Sequence, residues 1–181
     1  MAHIDIQEEI LTLGESYLSG RTEWDERPAI LVLRRRDGGG LEWLEWPVPA
    51  TSWDVADAPT VLITYAELAA ELDLPPLRVE AVAFRYEGFV ISPESSPEAA
   101  ETFRRRRAGG SVPRNEEIPG RAEQRVLNIR DVHGVQYLVT ATRQPDGGAV
   151  LDKRAVYPVG TSVTGGVPHG LELLMNAHIR P

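Results

Sequence analysis

The sequence has no cysteine, a single lysine and no long apolar run, and each shortage removes a class of function. Without thiols there can be no disulfide, no thiolate metal ligand and no cysteine nucleophile. A membrane-spanning helix needs roughly 20 consecutive apolar residues, and no stretch approaches that, so no membrane partner is expected. The opening MAHIDIQEEI has no basic segment leading into an apolar one, as a secretory signal would. A cytoplasmic or virion-associated location is the expectation. Lys153 leaves arginine as 18 of the 19 basic residues, beside 14 prolines and 16 glycines. Such usage is expected of a GC-rich genome of actinobacterial or phage kind.

Several catalytic signatures are missing too. The letters GTSVTGG at 160–166 lack the spacing of a G-x-S-x-G nucleophile elbow, and neither GGGLEW nor GGVPHG has the lysine or the strand and helix context of a phosphate loop. His3, His133, His169 and His178 include no pair at chelating spacing. Asp131 and His133 alternate, but a turn explains both. No metal and no cofactor are therefore expected.

What is present suits a soluble globular protein: 181 residues, 42% hydrophobic and 25% charged. We expect one α+β domain over 1–181, with a single antiparallel sheet of about five or six strands and helices packed on one face. Helical spacing falls at 5–19, with Asp5 as cap and Ile6, Ile10, Leu13 and Tyr17 as the apolar stripe. Further helices are expected at 60–72, with Thr64 and Glu67 in capping-box spacing and Pro75 and Pro76 as the stop, at 96–107 behind Ser96 and Pro97, and at 171–178. Segment 109–122 reads as a loop.

Residues 34–46, RRRDGGGLEWLEW, pose the sharpest question, since arginines beside tryptophans suit either a nucleic-acid site or a hairpin. A loop of Asp37–Gly40 would set Arg35 opposite Glu42, Leu33 opposite Leu44 and Leu31 opposite Trp46, with Arg34 beside Trp43. Every charge would then have a local partner, which favours the hairpin. Residues 79–91 read as a long strand, bulged near Gly88, with Val82, Phe84 and Tyr86 on one face and Ala81 and Ala83 on the other. From residue 123 a three-stranded meander follows. Its turns at DVHG and QPDGG both suit a type I turn with a glycine bulge. They pair Leu127 with Val139, Ile129 with Tyr137, Ala141 with Leu151 and Val139 with Lys153. One face is then apolar, and the other carries Asn128, Arg130, Leu138, Thr140, Asp152 and Arg154.

Charge is unevenly spread. Residues 1–101 hold 20 acids and 7 arginines, net −13, while 102–181 hold 7 acids and 12 bases, net +5. Two candidate partner-binding surfaces follow. One is a cationic ridge of Arg104, Arg105, Arg106 and Arg107 continued by Arg114 and Arg121. The other is the polar sheet face, with Asn128, Arg130 and Arg154. Carboxylates such as Glu80, Glu87, Asp54 and Asp57 read as ordinary surface acids. The leading expectation is a non-enzymatic binding or assembly protein working through charge-complementary protein contacts, by self-association or with another protein partner. A phage or bacterial accessory protein would fit. The alternatives are a hydrolase or transferase with a dispersed carboxylate and arginine site, and a nucleic-acid module using the ridge, which the scarcity of interleaved aromatics disfavours.

Overall fold

The computed structural model describes residues 2–72 and 79–178. In chain order its elements are α1 (Ala2–Ser19), β1 (Ala29–Arg35), β2 (Leu41–Glu45), α2 (Ser52–Val55), α3 (Ala58–Glu71), β3 (Val79–Val90), α4 (Pro97–Arg107), a short 3-10 turn (Asn115–Glu117), β4 (Ala122–Asp131), β5 (Gln136–Arg143), β6 (Ala149–Tyr157) and α5 (Gly166–His178). All six strands form one antiparallel sheet in the order β2-β1-β3-β4-β5-β6. The α+β class and the single sheet are as expected. The expected stop at Pro75 and Pro76 lies outside the described residues.

The helices, however, cover two faces rather than one. β1 and β3 dictate this. Ala29 to Leu33 are all buried, as are Ala81 to Phe84, without alternation, and strands buried on both sides need cover on both sides. On one face Ile10, Leu11 and Leu18 of α1 close over Leu31, Leu33, Leu127, Ile129, Tyr137 and Val139. On the other, Leu62 and Ala66 of α3 and Leu171, Leu174 and Met175 of α5 close over Ile30, Val32, Val82 and Phe84. Fully burying one such aliphatic side chain is worth about 1.5–3 kcal/mol, so both layers are needed to hold the sheet.

Local signals explain most helix boundaries. Ser96 accepts a hydrogen bond from the Ala99 amide at 3.0 Å and Pro97 occupies the first turn of α4, as expected. α3 starts earlier than expected: its cap is Asp57, which accepts from the Thr60 amide at 2.9 Å, so Thr64 and Glu67 lie inside the helix. α1 likewise begins at Ala2, with Asp5 within it. Where α5 crosses α3, a Cβ at Gly170 would lie 2.7 Å from Leu62 Cγ. Gly170→Val should therefore overpack this contact and destabilise the protein by about 1–3 kcal/mol. Urea unfolding should show a lower midpoint at unchanged slope; an unaltered midpoint would mean that α5 can shift freely.

The three hairpins share one construction. In each, two residues flanking a three-residue bend are joined by a backbone bond: Arg36 to Gly40, Asp131 to Val135 and Gln144 to Gly148, with Gly39, Gly134 and Gly147 at φ between 84° and 92°. The turns at 131–135 and 144–148 match the sequence reading. The first does not: Gly40 is outside the bend, so Arg34 faces Glu42, Leu33 faces Trp43 and Val32 faces Leu44. Because β1 is buried on both faces, its apolar pattern tolerates a one-residue slip and cannot fix register. Near Gly88 the pairing of β3 with β4 is regular; the irregularity of β3 lies on its β1 side, between Leu33 and Arg34.

Pairing of β4 with β5 follows the expected register throughout. β5 and β6 agree with it only as far as Ala141 opposite Leu151. Asp152 is then an extra residue, and Thr140 faces Lys153 and Val139 faces Arg154. The Asp152 carboxylate explains the bulge, since it accepts from the hydroxyls of Thr140 and Thr142 and from the Gln124 amide at 2.6 Å. Those groups lie on the polar face. Holding Asp152 there rotates everything after it by one position.

Candidate functional site

The bulge separates two residues that the sequence reading put together. Arg154 shares a face with Val139 and reaches Glu8 and Glu15 of α1, the latter at 3.6 Å. Hydrogen bonding to Glu8 is the main influence raising its pKa. Arg130 lies on the opposite face, 3.5 Å from Glu172 of α5, and Asn128 beside it is hydrogen-bonded to Tyr86. Burial pushes the Tyr86 phenol above its ordinary range, and that hydrogen bond draws it partly back. No single surface therefore holds Asn128, Arg130 and Arg154. The grouping is corrected: Asn128 and Arg130 remain on the half-covered polar face, and Arg154 ties α1 to the sheet.

The hairpin at 34–46 is a closed set of ion pairs. Arg34 binds Glu42 at 2.9 Å, Arg36 binds the same carboxylate at 3.2 Å and Arg35 binds Glu80 at 2.5 Å. Trp43 turns toward α1, its ring centroid 6.5 Å from that of Tyr17, and Trp46 packs into the opposite core. The two rings thus lie on opposite faces of the sheet, and Arg34, which shares a shallow depression with Trp46, is held by Glu42. Asp57 is spent as the α3 cap and Asp54 lies 3.7 Å from Arg27. None of these acids forms the paired carboxylate that acid and base chemistry would use.

The helix expected to carry the ridge is present, while Arg121 lines a different depression from Arg105. α4 is held inward by Ala99 and Thr102 and presents its last turn to solvent. Arg104 and Arg105 share one carboxylate, Glu101, at 2.7 and 3.0 Å, while their side chains remain 76% and 61% exposed. Arg106 donates to the neutral Asn115 carbonyl at 3.0 Å and lies over the Phe103 ring. Arg107 has no partner among the described residues. Arg114 is exposed, 3.4 Å from Glu116, and Arg121 stacks 5.3 Å from the Phe89 ring. Positive charge at the end of a helix is favourable against its dipole by about 0.3–1 kcal/mol per group at low salt. That explains tolerance of four arginines in one turn but leaves their charge unneutralised.

Sequence reasoning missed a buried ionic cluster at the other end of β3 and β4. Register places Glu87 opposite Arg125. Arg125 is fully buried: its Nε donates to Glu87 Oε1 at 2.9 Å, Nη1 donates to the Arg21 carbonyl at 3.0 Å, Nη2 donates to the Glu23 carbonyl, and Trp24 covers its face at 4.6 Å. The other Glu87 oxygen accepts from the Asp25 and Glu26 amides, at 2.7 and 3.2 Å. Arg85, 2% exposed, donates to the Arg27 carbonyl at 2.6 Å and lies 3.1 Å from Glu26. These groups pin residues 21–27 across the sheet end. The available signal was phase, because Arg85 and Glu87 continue the face of Ala81 and Ala83.

Concave space is shallow. A depression of about 360 Å³ beside α4 is lined by Pro97, Glu98, Glu101, Thr102, Arg105 and Pro113. One of about 410 Å³ lies between Phe89, Arg121, Glu123 and Arg143. Among the described residues no three His, Asp or Glu are grouped to hold a metal ion, and no helix is long and apolar enough to cross a membrane. No protein-family model, curated protein or solved structure matches the chain.

Proposed function

We propose that this protein is a non-enzymatic binding or assembly protein that docks on an acidic protein surface through Arg104, Arg105, Arg106, Arg107, Arg114 and Arg121. The carrying observation is the imbalance in the last turn of α4, where four exposed guanidiniums have one carboxylate, Glu101, between them. Such groups remain hydrated and steerable, and they gain most by meeting carboxylates on another surface. Nucleic acid is the poorer fit. Single-strand binders offer free ring faces to bases, whereas Phe103 and Phe89 are covered by Arg106 and Arg121. A dispersed catalytic site is disfavoured by the parting of Arg130 from Arg154.

Fluorescence anisotropy with two labelled probes tests the reading, a ten-residue glutamate-rich peptide and a single-stranded oligonucleotide of equal charge. The peptide should bind at low ionic strength, and Arg104→Glu/Arg107→Glu should weaken it about tenfold, consistent with a few exposed pairs of about 0.2–1 kcal/mol each. Equal binding by the variant, or no peptide binding at all, ends the proposal. Preferential binding of the oligonucleotide would transfer the ridge to nucleic acid.

A further inference from the structure

We infer that the acidic surface met by the ridge is the outer face of α3 on a second copy of this chain. The inference rests on the docking role just proposed and names its partner. α3 buries Val61, Leu62, Ala66 and Ala69 and turns Glu67, Leu68 and Glu71 outward, and Leu72, its extended C-cap residue, is exposed beside them. Leu68 and Leu72 are 45% and 56% exposed, an uncommon display for two large aliphatic residues one turn apart. Glu67 and Glu71 flank them, also one turn apart, and neither has an ion-pair partner among the described residues. Among the described residues, the face therefore presents two unanswered carboxylates beside two unburied leucines.

α4 presents the complement. Residues three and four apart share a helix face, which groups Ala100, Phe103, Arg104 and Arg107. Ala100 and Phe103 are half-buried, and the two arginines are exposed. Two guanidiniums about one 5.4 Å turn apart thus match two carboxylates at the same interval, with Ala100 set toward Leu68 and Leu72. Each copy carries one surface of each kind on different helices. The contact is consequently heterologous, head to tail, and leaves a free surface at both ends of a dimer. A small contact of this composition is weak, transient and sensitive to salt.

Light scattering and sedimentation equilibrium on the full chain test this with a charge exchange. Wild-type protein at high micromolar concentration should show a mean mass rising above monomer at low salt and returning to monomer at high salt. Arg104→Glu/Arg107→Glu and Glu67→Arg/Glu71→Arg should each stay monomeric at low salt, because each then sets like charges face to face. An equimolar mixture of the two should regain association. All four positions are exposed, so circular dichroism should confirm that both variants keep the fold. The inference is overturned by a wild type that remains monomeric, by variants that associate as it does, or by a mixture that stays monomeric. Those outcomes are separable from failure of the docking role. A monomeric wild type that still binds the glutamate-rich peptide keeps the ridge as a docking site and removes only the second copy.

Discussion

Replacing Glu87 with alanine should lower the free energy of unfolding by about 3–5 kcal/mol, the cost expected when one partner of a buried ion pair is removed. The size follows from what remains. Arg125 has no exposed surface, so its charge cannot turn to water, and Glu87 supplies its only carboxylate among the described residues, at 2.7 Å. The same deletion strips the Asp25 and Glu26 amides of their acceptor, and Asp25 stands at φ 63°, a backbone state that depends on such support. Residues 21–27 should loosen with it. Urea unfolding gives the first number, and faster hydrogen exchange at the Asp25 and Glu26 amides gives the second. Two comparisons make the result specific. Glu42→Ala breaks contacts to the half-exposed Arg34 and Arg36 and should cost about 1 kcal/mol or less. A double change of Glu87 and Arg125 to apolar residues of similar volume should recover much of the single-variant loss. A loss below about 1 kcal/mol in Glu87→Ala would mean that water reaches Arg125, and the clamp would have to be discarded.

Asp131→Ala should come next, at about 3 kcal/mol. Asp131 is 1% exposed and satisfies three donors: the His133 and Val135 amides, both at 2.9 Å, and the Tyr137 hydroxyl at 2.7 Å. Each donor left unmet in the interior costs about 1–3 kcal/mol, reduced where water can enter. Tyr137→Phe removes only one of the three bonds and should cost less, about 1–2 kcal/mol. Burial, followed by the neighbouring Asp131, pushes the Tyr137 phenol far above its ordinary range, so its hydroxyl stays a donor through neutral pH. Thermal or urea unfolding of both variants checks the order. Equal losses would mean that the tyrosine, not the turn amides, dominates the contact.

Legibility in the sequence tracked how strongly a local pattern excluded its alternatives. β4 and β5 set one apolar row of Leu127, Ile129, Tyr137 and Val139 against a mixed row, and a slip would have buried Arg130 or exposed Tyr137; their pairing could be read directly. β1, as AILVL, alternates nothing. Such a run announces burial on both faces, and with it the second helical layer, but it leaves the partner register free. Asp152 was illegible for another reason. Its bulge depends on three donors brought from β4 and β5, of which Thr140 and Thr142 share its hairpin while Gln124 does not. The arginine ridge was plain because it is contiguous, whereas Arg85, Glu87 and Arg125 became a cluster only once β3 and β4 were in register. Of α3's acids, Glu67 was read only as half of a capping box and Glu71 not at all, since two glutamates on a helix are ordinary. Their exposure beside Leu68 and Leu72 is what distinguishes them.

The kink at Asp152 also bears on how copies of this chain could accumulate without harm. β6 ends the strand order, and Val150, Leu151 and Val156 stand open along it. A straight ribbon of that kind would invite a foreign strand to zip on and propagate toward fibrils. The added residue instead buckles the rim, and Lys153 studs it with charge, while Arg154 is held back by Glu8 and Glu15 of α1. Growth through the helices would dissolve on adding salt, while the β6 edge, which could lock copies together permanently, is crimped shut.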